Sequence, residues 1–71
     1  MSGIRLTPRE YDVLVRLPMT EYDIANELTI SVHAVRQYTH KLFRKFNVHN
    51  KASAIIKALR YELVDIYNFK L

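Results

Sequence analysis

Apolar residues recur along the chain at helical spacing in four blocks, and a short polar residue stands just before each block. In the first block, Thr7 has the place of an N-cap, Pro8 suits the first helical position, and Glu10 can close a capping box. Leu6 and Tyr11 have staple spacing, and Val13, Leu14 and Leu17 form the buried stripe. Pro18 disfavours helical geometry at Leu17, so this helix is predicted to end there. Thr20 opens the second block, with Asp23 at the acidic box position, Met19 and Ile24 as a staple, and Ile24, Ala25 and Leu28 facing inward. Thr29-Ile30 forms a short turn, and Ser31 caps a third helix that runs to Phe46. Asn47 suits a left-handed stop. Asn50 caps a fourth helix, predicted over about residues 50–68 because no Gly or Pro interrupts the stretch. Met1 to Arg5 reads as a frayed start. Nothing reads as a strand, so the fold class is all-α in one domain.

The third block, SVHAVRQYTHKLFRKF, has two unlike sides. Val35, Thr39, Leu42 and Phe46 share one side, whereas His33, Arg36, Gln37, His40, Lys41 and Arg44 share the other. The block holds Arg36, Lys41, Arg44 and Lys45 and no acid. The whole chain has 11 Lys+Arg and 7 Asp+Glu, a net charge of +4. Outside this block, therefore, basic and acidic residues cancel. A helix with one anchoring side and one cationic, donor-rich side suits the major groove of double-stranded DNA.

Composition narrows the picture further. Seventy-one residues lie near the lower limit for folding without staples, and there is no cysteine to form one. The lack of cysteine fits a reducing cytoplasm, where a DNA partner would hold the protein at the nucleoid. No apolar run nears the ~20 residues that span a bilayer, and MSGIRLTPRE has no signal-peptide core. No membrane role is expected. His33, His40 and His49 lack the i, i+4 spacing of a metal pair, so no metal or cofactor is expected. Of the carboxylates Glu10, Asp12, Glu21, Asp23 and Glu27, two are accounted for as caps and the rest fall on polar helix faces. An enzyme is not expected. Apolar residues of the fourth block outnumber one stripe. Ala52, Ile56, Leu59, Leu63 and Tyr67 are the candidate dimer face, with a fold-back of the tail as the alternative.

LTPREYDVL, DIANELTIS and AVRQYTHKLFRKFNV, followed by the small residues Ala52 and Ala54, resemble the LuxR/GerE-type (NarL-type) DNA-binding domain. The resemblance runs from Leu6 to about Leu59. It implies a tetra-helical, winged-helix-like domain without a wing, with the helix-turn-helix at about residues 20–46. The length resembles the stand-alone members, of bacterial or phage origin. Several positions depart from the family pattern. RLPMTEYDIA is a shorter connection with no glycine; Ala34, Tyr38 and Asn47 stand where the family has threonine, histidine and glycine. AVRQ and the basic helix are also similar to region 4 of sigma factors, but FNVHNKASAI supplies a fourth helix where the LuxR type has one.

By position, the resemblance puts Arg36, Gln37 and His40 at the bases, with His33 at the groove entrance. Arg36 would grip guanine O6 and N7, and Gln37 would pair with adenine. Thr29, Ser31, Tyr38, Lys41, Arg44, Lys45 and Lys51 are placed for phosphates, which fix register without reading sequence. Tyr38 is equally suited to the core. The function expected is a sequence-specific transcriptional regulator, dimeric, with one recognition helix per half-site. The alternative is a protein-interaction module that captures another LuxR-type regulator or RNA polymerase.

Overall fold

Four helices begin at the four caps expected of them. The computed structural model describes residues 3–70. Helix α1 spans Pro8–Leu14, α2 Glu21–Leu28, α3 Val32–Phe46 and α4 Lys51–Arg60, and a 3-10 turn, η1, covers Ile66–Asn68. Thr7 Oγ1 accepts from the Glu10 N–H at 3.1 Å while Glu10 Oε1 accepts from the Thr7 N–H at 2.8 Å, a complete capping box. Thr20, Ser31 and Asn50 accept from the backbone N–H groups of Asp23, Ala34 and Ser53. Each cap of this kind contributes about 1 kcal/mol.

Three helices end in the same way. Thr29, Asn47 and Glu62 take positive φ values of 57°, 55° and 58°. The N–H groups of Ile30, Val48 and Leu63 then donate back to the carbonyls of Ala25, Phe43 and Ala58. This paired turn-back closes the orphan carbonyls of a helix end. Asn47 thus makes the left-handed stop expected of it. Between α1 and α2 the chain tightens rather than loops. Arg16 and Leu17 donate to the carbonyls of Val13 and Leu14, which replaces the expected last turn of α1. Val15 and Leu17 stay buried through this turn.

The fourth helix is shorter than its sequence predicts. It stops at Arg60, and the expected run to about residue 68 is not formed. Glu62 in the left-handed region costs about 1–2 kcal/mol. The reversal buries Val64 and brings Leu63 and Phe69 onto the main core. Burial of each large apolar side chain returns roughly 1.5–3 kcal/mol, so the reversal wins. The Lys70 N–H donates to the Val15 carbonyl at 2.7 Å and fixes the returning strand of tail. The fold-back alternative is therefore the one observed for the tail. The start of the chain is likewise not frayed over its described part. Ile4 packs on the core, and the Arg5 carbonyl accepts from Lys45 Nζ at 2.8 Å.

Helix α3 is the hub, packed against α1, α2 and α4. Leu42 and Phe46 enter a core with Val13, Leu14, Val15, Leu17, Ala54, Ala58 and Val64. Val35 meets Ile24 and Ala25 in a second cluster, where α2 and α3 cross over the Thr29-Ile30 turn. Met19 and Ile30 pack around this crossing as their staple positions require. No helix among the described residues is long and apolar enough to cross a membrane.

Candidate nucleic-acid interface

The two sides of α3 face opposite surroundings. Val35, Leu42 and Phe46 are buried, whereas His33, Arg36, Gln37, His40, Lys41 and Arg44 are exposed. Gln37, His40, Lys41 and Arg44 together line an open depression of about 300 Å³. The inner stripe fixes the rotation of the helix, so the outer residues form one continuous band. Thr39, on the edge of the stripe, returns its hydroxyl to the Val35 carbonyl at 2.9 Å.

Two residues of the band carry contacts, one across helices and one along α3. Arg36 Nε donates to both carboxylate oxygens of Glu21, at 3.2 and 3.1 Å. The Glu21 hydrogen bond holds the Arg36 guanidinium above its usual pKa. Lys41 Nζ lies 5.7 Å from the centroid of the Tyr38 ring, within cation–π range. Tyr38 is half-buried against the main core, so both roles weighed for it stay open: its body packs and its edge reaches the surface.

Lys45 differs from its neighbours. Its ammonium meets Glu10 Oε1 at 2.6 Å as well as the Arg5 carbonyl. The Glu10 side chain is only 5% exposed. Burial pushes the Glu10 carboxyl up, but the Lys45 ammonium and the Thr7 N–H outweigh it, and the pKa lies below its ordinary 4.5. Lys45 thus ties α3 to α1 and to the N-terminal segment, with 37% of its side chain still exposed. Lys57, which sequence reasoning left unassigned, donates to the Phe46 carbonyl at 2.7 Å. A cation there complements the negative end of α3.

The remaining candidates divide by position. Ser31 is the exposed cap of α3, and Thr29 is exposed in the turn before it. The positive N-terminal end of α3 favours an approaching phosphate. Lys51, at the start of α4, is exposed with Nζ 3.4 Å from the Met19 carbonyl. Of the dimer-face residues, Ala52 and Ile56 are exposed on α4 and Leu59 is half-buried. Leu63 lies beyond the end of α4 and packs on the core of its own monomer, so it leaves the proposed stripe. Tyr67, 91% exposed, belongs to η1 and not to the helix.

The exposed basic band of α3 lies within a segment that a family profile recognises. The profile of the luxR family of bacterial regulatory proteins, the GerE domain, matches residues 5–58. The chain belongs to this family. The match takes in α1, α2, α3 and α4 as far as Ala58. No curated protein matches the chain significantly. Membership makes the chain a DNA-binding domain of a transcription regulator. The pairings of Glu21 with Arg36 and of Glu10 with Lys45 were not legible, because the partners lie 15 and 35 residues apart. Only the tertiary crossing of the helices brings them together.

Proposed function

We propose that the domain regulates transcription by reading a preferred DNA sequence with α3. The single observation that carries this reading is the band of Arg36, Gln37 and His40. All three are exposed on a helix whose opposite side is locked into the core. Base-edge recognition needs donors that a rigid support holds outward. Lys41, Arg44 and Lys51, with the first turn of α3 after Ser31, serve the phosphates on either side. His33 sits at the N-terminal edge of the band, where bases or phosphate are within reach.

The dimer belongs to the same proposal. Ala52 and Ile56 leave an apolar face on α4 that the monomer does not cover, with Leu59 at its edge. Two copies joined there would present two recognition helices to one face of a duplex. Selection of bound fragments from random DNA tests both halves of the proposal. The expected product is an inverted repeat whose half-site centres lie about 10 bp apart, bound with steep salt dependence. A single unrepeated site would remove the dimer. No binding at low salt would remove DNA reading and favour a module that captures another regulator or RNA polymerase.

A further inference from the structure

We propose that Glu21 is a positioning residue for base readout: by gripping Arg36 through Nε, it aims the two terminal nitrogens of the guanidinium at one base pair. The inference rests on the DNA-reading function proposed above.

The geometry is specific. Glu21 is the first residue of α2, and both of its carboxylate oxygens lie within 3.2 Å of Arg36 Nε. A guanidinium has two edges that can make a paired contact, the Nε side and the terminal fork. Glu21 occupies the first. The terminal nitrogens of Arg36 have no hydrogen-bond partner among the described residues, and the side chain is 57% exposed. The free fork matches the two acceptors that guanine shows in the major groove.

Stability does not account for the pair. Ion pairs this exposed contribute little to folding, and salt screens them. Its other effect is on freedom. An unsupported arginine samples many rotamers and must lose that freedom on binding. A carboxylate anchored on a neighbouring helix removes part of that cost in advance. It also narrows the reachable base positions to one. The carboxylate has a second consequence of opposite sign, because a negative charge beside the groove repels phosphates from every sequence alike.

These two effects make the test selective. Duplexes carrying the site chosen by the wild type, each single-base change of it, and random sequence are titrated with Glu21→Ala, Glu21→Gln, Arg36→Ala and the double variant Glu21→Ala/Arg36→Ala. Glu21→Ala is expected to lower discrimination at one base pair by about 2- to 10-fold, the same pair that Arg36→Ala relaxes. Glu21→Gln, which keeps an acceptor for Nε, is expected to lose less. Both Glu21 variants should bind random DNA at least as well as the wild type, and their unfolding midpoints should fall only by the small loss of one acid from the first turn of α2. In the Arg36→Ala background, Glu21→Ala should change nothing at that pair.

Unchanged preference in Glu21→Ala would overturn the inference. So would equal weakening at every base pair, or an effect that survives removal of Arg36, since Glu21 would then contact DNA itself. A wild-type protein that selects no site overturns the DNA-reading function as a whole. A wild type that selects a site, relaxed by Arg36→Ala but not by Glu21→Ala, overturns this inference alone.

Discussion

Arg36 and Lys45 lie near opposite ends of α3, and each meets a glutamate from an earlier helix. By distance the two pairs are similar, at 3.1 Å for Arg36–Glu21 and 2.6 Å for Lys45–Glu10. Their surroundings are not. Glu10 is 5% exposed and shares its carboxylate with the Thr7 N–H, inside the start of α1. Glu21 is 33% exposed and faces solvent together with its partner. A buried carboxylate that loses its cation keeps its desolvation cost, whereas an exposed one turns to water. The inner pair therefore holds α3 to α1 and to the N-terminal segment. The outer pair holds a side chain. Formal charge counts arginine and lysine equally toward the basic helix, but the carboxylate that each meets is buried to a very different degree.

Removal of the inner cation is expected to give the largest effect. Lys45→Met keeps most of the apolar stem and deletes the ammonium. It should lower unfolding stability by about 1.5 kcal/mol, the lower end of the range for charged hydrogen bonds, because Lys45 keeps 37% of its side chain in water. Urea denaturation measures the loss. Base preference in the variant should match the wild type, with at most a uniform weakening. A relaxed base position would place Lys45 in the reading band and erase the contrast between the pairs.

The same contrast separates what the sequence showed from what it hid. Thr7, Thr20, Ser31 and Asn50 act on N–H groups three residues away, so their roles could be read locally. The outward band of α3 was legible because one buried stripe fixes the rotation of a helix. The stop at Asn47 was legible from its tolerance of positive φ. The stop before Glu62 was not, because glutamate has no such tolerance and the reversal depends on Val64 and Phe69 reaching the core. The contact of Lys45 with Glu10 was not legible either. Nothing local reports that Glu10, on another helix, waits beneath it.

Acid should distinguish the pairs by a smaller amount. Glu10 has a pKa below its ordinary 4.5 when folded. A carboxyl depressed by folding contributes stability that is fully present above its unfolded value. That contribution is lost as pH falls through the folded value. Stability of the wild type should hold down to about pH 4.5 and then decline with a slope of up to ~1.4 kcal/mol per pH unit from this group. Glu10→Gln should begin less stable and lose that part of the slope. Chemical denaturation across pH 3 to 7 gives both curves. Identical slopes below the break would mean that other carboxylates carry the acid sensitivity.

The smallest effect on stability is expected where the effect on reading is largest. Arg36→Ala deletes the outer pair, leaves Glu21 free to be hydrated, and opens no cavity, because the side chain is 57% exposed. Its urea midpoint should superimpose on that of the wild type. On DNA, the same variant should lose roughly 5- to 150-fold of discrimination at one base pair, the range for a paired arginine contact. Affinity for random sequence should fall only as far as the loss of one cation near phosphate requires. Denaturation and binding must be measured on the same preparation, because only their divergence separates a reading role from a folding role. A midpoint that drops as far as that of Lys45→Met would show the outer pair to be part of the scaffold. Arg36 would then be held for the sake of the fold, and the reading band would lose the residue with the clearest means of naming a base.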